Sequence, residues 1–514
     1  MDNRHRDAAW TYHNGTKHSY ESVRTGDHFL DWPNQPIPFK IYSTLDPTPL
    51  PQDFEHPDMP ALNAITALEA EPTATCIPTL KTIAGLLFFS AGITRRRAYA
   101  GGEIVFRAAA CTGALYHIDF YLVCGNLPGL ESGVYHFSVH DFSLRKLRTG
   151  DHREVLVKAG GGESSLKTAP AVLICSGTFW RNAWKYRART YRHCFWDSGT
   201  ILANLLGVSE AFEVPSRIVG GFIDSEVNQL LDLDPEREVA LALVSLGKSQ
   251  TPPPEIPYHA DPLSLPTAPL SKSQIDYPAI RAMHAASSLQ SESEVMDWRG
   301  STAAADSRSP VGSLFSLRPQ TDAEIPVDSI SQVILRRGST RQFAREPISF
   351  VQLSTMLERA TRGIPADFLT PADAMINQMY LIVNAVEDLP AGAYVFHRDL
   401  RALEMLKEGD FRGEAGTLGL EQALPADASV NVYFLTDLTP ILERFGNRGY
   451  RAAQLEAGII GGKLYLAAYA QRLGASGLTF YDDDVTSFFS PHAAGKSVMF
   501  LTALGKSKKQ SSSQ

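Results

Sequence analysis

Several of the usual identifying features are missing from this chain. Its 514 residues include only five cysteines, Cys76, Cys111, Cys124, Cys175 and Cys194. The number is odd and the spacing holds neither a CxxC pair nor a zinc pattern. That excludes a disulfide scaffold and predicts reduced thiols in a cytoplasmic setting. No apolar run approaches the ~20 residues that a bilayer-spanning helix needs, so no membrane partner is expected. The opening MDNRHRDAAWTYHNGTKHSY is polar throughout, unlike a signal peptide. Positive charge is scarce: 48 Lys and Arg against 56 Asp and Glu give a net charge of −8. Short basic clusters occur at Arg95-Arg96-Arg97 and in the tail at Lys506, Lys508 and Lys509, too little to predict a nucleic-acid partner. There is no glycine-rich dinucleotide fingerprint. What remains, 44% hydrophobic and 20% charged residues, is an ordinary globular composition. The length allows two or more domains with substantial cores.

The chain also repeats itself. Tyr121, Gly133, Tyr135, Asp151, Arg153, Tyr191, Arg192 and Gly199 recur as Tyr380, Gly392, Tyr394, Asp410, Arg412, Tyr450, Arg451 and Gly458, always 259 residues later. A fixed offset across a whole domain indicates tandem duplication. The first unit reads as an apolar helix over Pro78 to Gly92, a strand Ile118 to Cys124 and a second strand Gly133 to Val139. A strand from Ala171, a long helix opened by Asp197-Ser198-Gly199 and a final strand Val239 to Leu246 follow. The resulting boundaries are 1–249 for an irregular leader plus repeat 1, 250–323 for a Pro/Ser-rich linker and 324–514 for repeat 2. Within the linker only Pro278 to Leu289 has a helical pattern.

The densest chemistry lies at Arg336-Arg337-Gly338-Ser339-Thr340-Arg341-Gln342-Phe343. Val327 to Leu335 reads as a short amphipathic helix leading into it, with Val327, Ile330, Val333 and Ile334 at helical spacing. Guanidinium forks and hydroxyls suit phosphate oxygens, and Gly338 permits close backbone approach. A helix C-terminus repels anions, so the arginines would carry the binding themselves. A solvated basic helix end fits the same residues. Between His56 and Lys81, where repeat 1 should carry its copy, there is no Lys or Arg at all.

This helix, the Arg-Arg-x-Ser-x-Arg-x-Phe motif, Pro347-Ile348 and the second amphipathic run from Val351 to Ala360 resemble the opening of a nitroreductase-superfamily domain. Gly338 stands where many members carry arginine or histidine. Cys111-Thr112-Gly113-Ala114-Leu115-Tyr116 is similar to the Ser-x-Gly-Ala-x-Tyr loop of the SagB/ThcOx-type dehydrogenases, and Lys185-Tyr186 is similar to their Lys-Tyr pair. Repeat 2 carries Thr370-Pro371-Ala372 and Arg444-Phe445 at these places. The resemblance implies an α+β fold of two tandem nitroreductase-like, FMN-binding domains that form an intramolecular pseudo-dimer with one composite site. Arg336, Arg337, Gly338, Ser339 and Arg341 of repeat 2 would hold the FMN phosphate. Cys111, Thr112 and Gly113 of repeat 1 would cover the flavin. Ser476, Gly477 and Leu478 would face the ring through backbone N–H groups, and Lys506 would lie near the phosphate. Lys185 and Tyr186 would move protons beside the flavin, a task for a group of lowered pKa.

Each assignment has a plainer counterpart. Lys-Tyr is a common dipeptide, Gly474 suits an αL helix cap, Lys506 suits a solvated tail, and Cys111 suits a space-filling thiol. Asp482-Asp483-Asp484 reads as a solvated acidic turn, and no metal is expected. The resemblance implies an FMN-dependent dehydrogenase that oxidises a C–N or C–C bond and returns electrons to oxygen. Its substrate would be a small molecule or a peptide- or carrier-bound intermediate, such as an azoline converted to an azole, with other biosynthetic enzymes as partners. Two rivals remain open: an NAD(P)H-dependent nitro or quinone reductase, and a flavin-less scaffold subunit. The chain would act as a pseudo-dimeric monomer or as a homodimer.

Overall fold

Ile118–Cys124 (IDFYLVC) and Gln378–Val383 (QMYLIV) are almost continuous runs of apolar and β-forming residues, the pattern of strands covered on both faces. In the computed structural model, which describes residues 2–25, 29–66, 75–99, 102–255, 261–300 and 309–508, each is the central strand of a seven-stranded sheet. The first sheet runs Pro47–Pro49, Ser143–Thr149, Gly133–Ser138, Ile118–Cys124, Ala171–Thr178, Glu238–Leu246, Ser216–Val219. The second matches it position for position: Leu314–Ser316, Ala402–Glu408, Gly392–His397, Gln378–Val383, Val430–Thr436, Ser497–Gly505, Gly474–Gly477. Every neighbouring pair in both sheets is antiparallel. The chain thus has an α+β architecture built twice.

The halves join through two long helices, Thr190–Ala211 and Arg448–Ala470, each lying on its own sheet and against the other helix. They cross at the two repeat-related glycines. A Cβ on Gly199 would sit 2.5 Å from the Gly458 carbonyl carbon, and one on Gly458 would sit 2.8 Å from the Trp196 carbonyl oxygen. No larger residue fits at that backbone separation.

Buried ion pairs tie the halves reciprocally. Arg189 and Arg192 of the first half reach Asp482 of the second at 3.0 and 2.6 Å; Arg448 and Arg451 of the second reach Asp224 of the first at 2.5 and 2.6 Å. All six side chains are buried. Two further helices complete the networks. Asp7–Gly15 leads to the His13 carbonyl and the Thr16 hydroxyl that accept from Arg192, and Pro278–Ala286 leads to the His284 carbonyl and Ser287 hydroxyl that accept from Arg451.

Several local readings change. The helix before the arginine motif is Ile330–Arg336, started by a Ser329/Gln332 capping box, and Val327 lies outside it, 84% exposed. Ser329 is a strong N-cap, so it overrides the apolar spacing that would include Val327. The first long helix begins at Thr190, not Asp197, which places Tyr191 and Arg192 inside it. Within 250–323, Glu292–Trp298 forms a helix whose Trp298 is buried, and Leu314–Ser316 joins the second sheet. Asp482 is no solvated turn residue, because it neutralises two buried arginines. Residues 256–260 and 301–308 of the expected linker, 67–74 of the arginine-free stretch and Lys509 lie outside the described residues.

One element breaks the symmetry. After the helix Leu80–Ala91 the first half forms a hairpin, Ile93–Tyr99 paired with Gly102–Arg107. After the matching helix Phe350–Ala360 the second half runs directly through residues 361–369 to Thr370.

Candidate functional site

Two joined cavities lie between the halves beside the long helices. The smaller, 330 Å³, is lined from the first half by Cys111–Ala114, Lys185 and Tyr186 and from the second by Ser339, Arg341 and Ser476–Thr479. The larger, 550 Å³, continues past Arg336–Ser339 and Arg341 to the hairpin arginines. The fold therefore brings the two separately conspicuous motifs to one place, each from a different half.

Repeat 2 supplies cations at the junction. Arg337 donates through Nε and Nη2 to the carbonyls of Ala108 and Arg107, at 2.9 and 3.1 Å, so its guanidinium bridges the halves while lining the larger cavity. Arg341 is exposed at the seam of both cavities. The Ser339 hydroxyl is 3.4 Å from Tyr465 Oη. Arg336 is different: its Nη2 donates to Asp328 and to the Tyr469 carbonyl, while its buried Nε has no partner. A carboxylate already balances much of its charge, which makes it a weaker anion ligand than its position in the motif implied. Gly338 is open: a Cβ added there would meet only Tyr469 Oη, at 3.7 Å.

The loop over the smaller cavity is held in unusual backbone geometry. Gly113, Ala114 and Tyr116 have φ of +64°, +55° and +48°, values that cost energy for the two non-glycines and persist where surroundings over-determine them. Asp197 supplies that restraint. Its carboxylate accepts from Thr112 N at 2.9 and 3.0 Å, Thr112 Oγ1 at 2.7 Å and Cys111 Sγ at 3.0 Å. Burial raises its pKa to about 6 despite these donors. Glu456, 259 residues later, does the same for Ile376 N and Asn377 N, both at 2.8 Å. Cys111, His117 and Asp197 are the one group among the described residues with three metal-ligating atoms close together. Asp197 is already committed to the loop, and burial pushes the Cys111 thiol well above its ordinary pKa, so the set acts as a loop anchor.

Tyr186 closes on this loop. A Cβ on Gly113 would come within 2.8 Å of its hydroxyl, so a larger residue there, at a φ of +64°, would displace the phenol. Burial first, then Asp197 and Cys111, raise the Tyr186 pKa. That corrects the expectation of a lowered pKa, and the phenol keeps its proton. Lys185 Nζ sits 5.3 Å from the Tyr186 ring centroid and also lines the cavity.

The remaining sequence candidates divide. Ser476, Gly477 and Leu478 line the smaller cavity, but Gly477 N donates to Tyr465 Oη and Leu478 N to the Leu501 carbonyl, so neither N–H is free for a ring. Beside them the buried Thr479 hydroxyl has no partner, and the sequence did not single it out. Lys506 lines neither cavity; its Nζ lies 3.4 Å from Glu346. Gly474 is not a helix cap. It lies in a strand where a Cβ would meet Thr340 Oγ1 and Ser507 Oγ, and Arg472 takes the left-handed position, φ +60°. Sequence reading also gave no role in the site to Asp197, Tyr465 or Arg107. Asp197 and Glu456 could have been found, since both acids fall on the 259-residue offset.

The symmetry-related position is filled by protein. Residues 365–367 form a bridge with Ile218, with Ile218 N donating to the Pro365 carbonyl at 2.8 Å and Asp367 N to the Ile218 carbonyl at 3.0 Å. The Asp367 carboxylate takes the N–H groups of Gly220 and Gly221 at 2.7 and 3.0 Å. Arg444 and Phe445, where the first half has Lys185 and Tyr186, bind the carbonyls of Asp297 and Arg299 and pack on Trp298.

An arginine set with an unpartnered buried Nε and a buried free hydroxyl at the far end fits a ligand with an anionic group at one end and a polar ring at the other. Comparison with known proteins points the same way. Residues 334–506 match the nitroreductase family. A crystal structure from Anabaena variabilis, assigned to the nitroreductases, superposes with a TM-score of 0.76 and 26% identity, covering 98% of this chain and 99% of that one. The trifolitoxin-processing protein TfxB of Rhizobium leguminosarum bv. trifolii is 31% identical over 36% of this chain and 54% of its own length. The microcin B17-processing protein McbC of Escherichia coli is 29% identical over 26% of this chain and 50% of its own. The chain thus spans about half the length of these two relatives. Residues 334–506 are thus a nitroreductase-family domain, and the nitroreductase fold extends over the whole chain.

Proposed function

We propose that the chain is an FMN-dependent dehydrogenase of the SagB/ThcOx type that oxidises a C–N or C–C bond in a peptide-bound or similar biosynthetic intermediate, with oxygen as electron acceptor. The observation that carries this reading is the composite cavity. Arg337, Ser339 and Arg341 come from one half, and the Cys111–Gly113 loop with Lys185 and Tyr186 comes from the other. The names of two relatives, a trifolitoxin-processing and a microcin B17-processing protein, support a substrate that is a biosynthetic intermediate.

FMN bound at this site would supply a two-electron acceptor for the hydride equivalent removed from substrate. The chain's own residues do the rest. Arg337, Arg341 and the Ser339 hydroxyl would hold its phosphate, with Arg336 Nε as a further donor. The Asp197-anchored loop, which lines the smaller cavity, would shield a flavin bound there from water. Tyr186, holding its proton, serves as a hydrogen-bond and proton donor, and Lys185 beside it is the candidate acceptor for the proton lost with the hydride. The protein-filled symmetry-related position supports a stoichiometry of one cofactor per chain.

Flavin absorbance of the purified protein, with FMN counted after denaturation, tests the cofactor. One FMN per chain is expected, two would contradict the composite site, and none after adding FMN would favour the scaffold. Arg341→Ala should weaken FMN binding, whereas Lys185→Ala should retain FMN and lose substrate oxidation. Rapid NADH oxidation with normal turnover in the lysine variant would favour the reductase instead.

A further inference from the structure

We propose that the larger cavity is a second anion site, built by the first-half hairpin, that binds the phosphate group of an organic phosphate ester next to the cofactor site. Seven arginines line this 550 Å³ space: Arg95, Arg96, Arg97, Arg107, Arg336, Arg337 and Arg341. Among the described residues no Asp or Glu lines it. Two of the seven are balanced, Arg96 by Glu103 at 2.8 Å and Arg336 by Asp328 at 2.7 Å. The other five make no salt bridge among the described residues. Arg107 is buried, with Nη1 and Nη2 on the carbonyls of Ile118 and Pro38 and an Nε that has no partner. Burial lowers its pKa to about 10, yet it remains charged at neutral pH.

A single cofactor phosphate at the Ser339–Arg341 seam answers only part of this charge. Arg95 and Arg97 stand on the far wall, on the hairpin that the second half lacks. Like charges gathered without counter-ions repel one another, and an added polyanion relieves that cost. The chemistry of the walls narrows the ligand. Guanidinium forks favour phosphate geometry, while Phe106, Tyr116 and Tyr469 offer aromatic surface to whatever carries it. Arg95 already lies over the Phe106 ring, 4.6 Å from its centroid. An ester with an apolar or ring-bearing tail therefore suits the site better than free phosphate.

The proposal rests on the reading of Arg337, Ser339 and Arg341 as the cofactor end, and its test keeps the two apart. Full-length FMN-loaded protein is titrated calorimetrically with phenyl phosphate and, separately, with inorganic phosphate, while flavin absorbance reports cofactor retention. Phenyl phosphate should bind at one site, more tightly than inorganic phosphate. The double variant R95A/R97A should weaken phenyl phosphate by about tenfold or more, with FMN content unchanged. The hairpin is solvent-exposed, so these substitutions leave the core intact. Equal affinity for the two probes would overturn the ester and leave free phosphate as the ligand. Absence of binding to the loaded protein, or binding that the double variant leaves unchanged, would overturn the site. A protein that carries no FMN but binds phenyl phosphate through Arg95 and Arg97 would refute the proposed cofactor while sustaining the hairpin site.

Discussion

Asp197 links the active loop to the pH dependence of the fold. Its ordinary value is 3.8, the value it takes in the unfolded chain, whereas in the fold it reaches about 6. A raised folded-state pKa means that the protonated native form is favoured. The stabilisation is fully present below about pH 4 and fades as the pH rises through about 6, for a total of up to about 3 kcal/mol. An amide at this position cannot ionise, so Asp197→Asn should gain stability relative to the parent across that window, and scanning calorimetry at a series of pH values reads the difference. A constant gap between the two melting temperatures would remove Asp197 from this role. Sequence could name Tyr186 but not its state, because a pKa depends on what surrounds the group. Burial and the facing Asp197 and Cys111, which the motif does not encode, make the phenol a donor instead of a base.

At the level of elements, the crossing of the two long helices depends on Gly199 and Gly458. A methyl on either would overlap the partner backbone, which cannot yield as a flexible side chain does. Gly458→Ala should cost about 1–3 kcal/mol or more. Gly413→Ala is the control: Gly413 is helical and exposed, with nothing within 4 Å of its added Cβ, and should gain about 1 kcal/mol in helix propensity. Urea unfolding of the two variants compares them directly, and equal stability would mean that the helices slide to accept the methyl. The 259-residue offset made both glycines visible as repeats, but their contact was not legible. Periodicity places a residue on a face of its own helix and says nothing about how near the next backbone lies. The same limit explains Gly474, read as a cap and found to be a point of close approach to Thr340 and Ser507.

Across the whole molecule, reciprocal charges make the two halves one cooperative unit. Asp482→Ala would leave Arg189 and Arg192 buried without their carboxylate, at a cost of about 3–5 kcal/mol; Asp224→Ala should do the same to Arg448 and Arg451. Both variants should still unfold in a single transition when followed by near- and far-ultraviolet circular dichroism, since neither half can expose its face alone without uncovering buried charge. Two separated transitions in the parent protein would contradict that unity. The sequence by itself determined the duplication, the strand and helix order of each copy, and the unequal distribution of arginines and of the Lys-Tyr pair, because these are properties of spacing and residue type along the chain. Only the tertiary structure decided the rest. It joined the arginine motif of one half to the loop of the other, filled the symmetry-related position with Asp367, set Lys506 against Glu346 and placed Arg95–Arg97 over the cavity. These outcomes depend on distance, burial and charge between residues hundreds of positions apart, and local sequence patterns do not record those quantities.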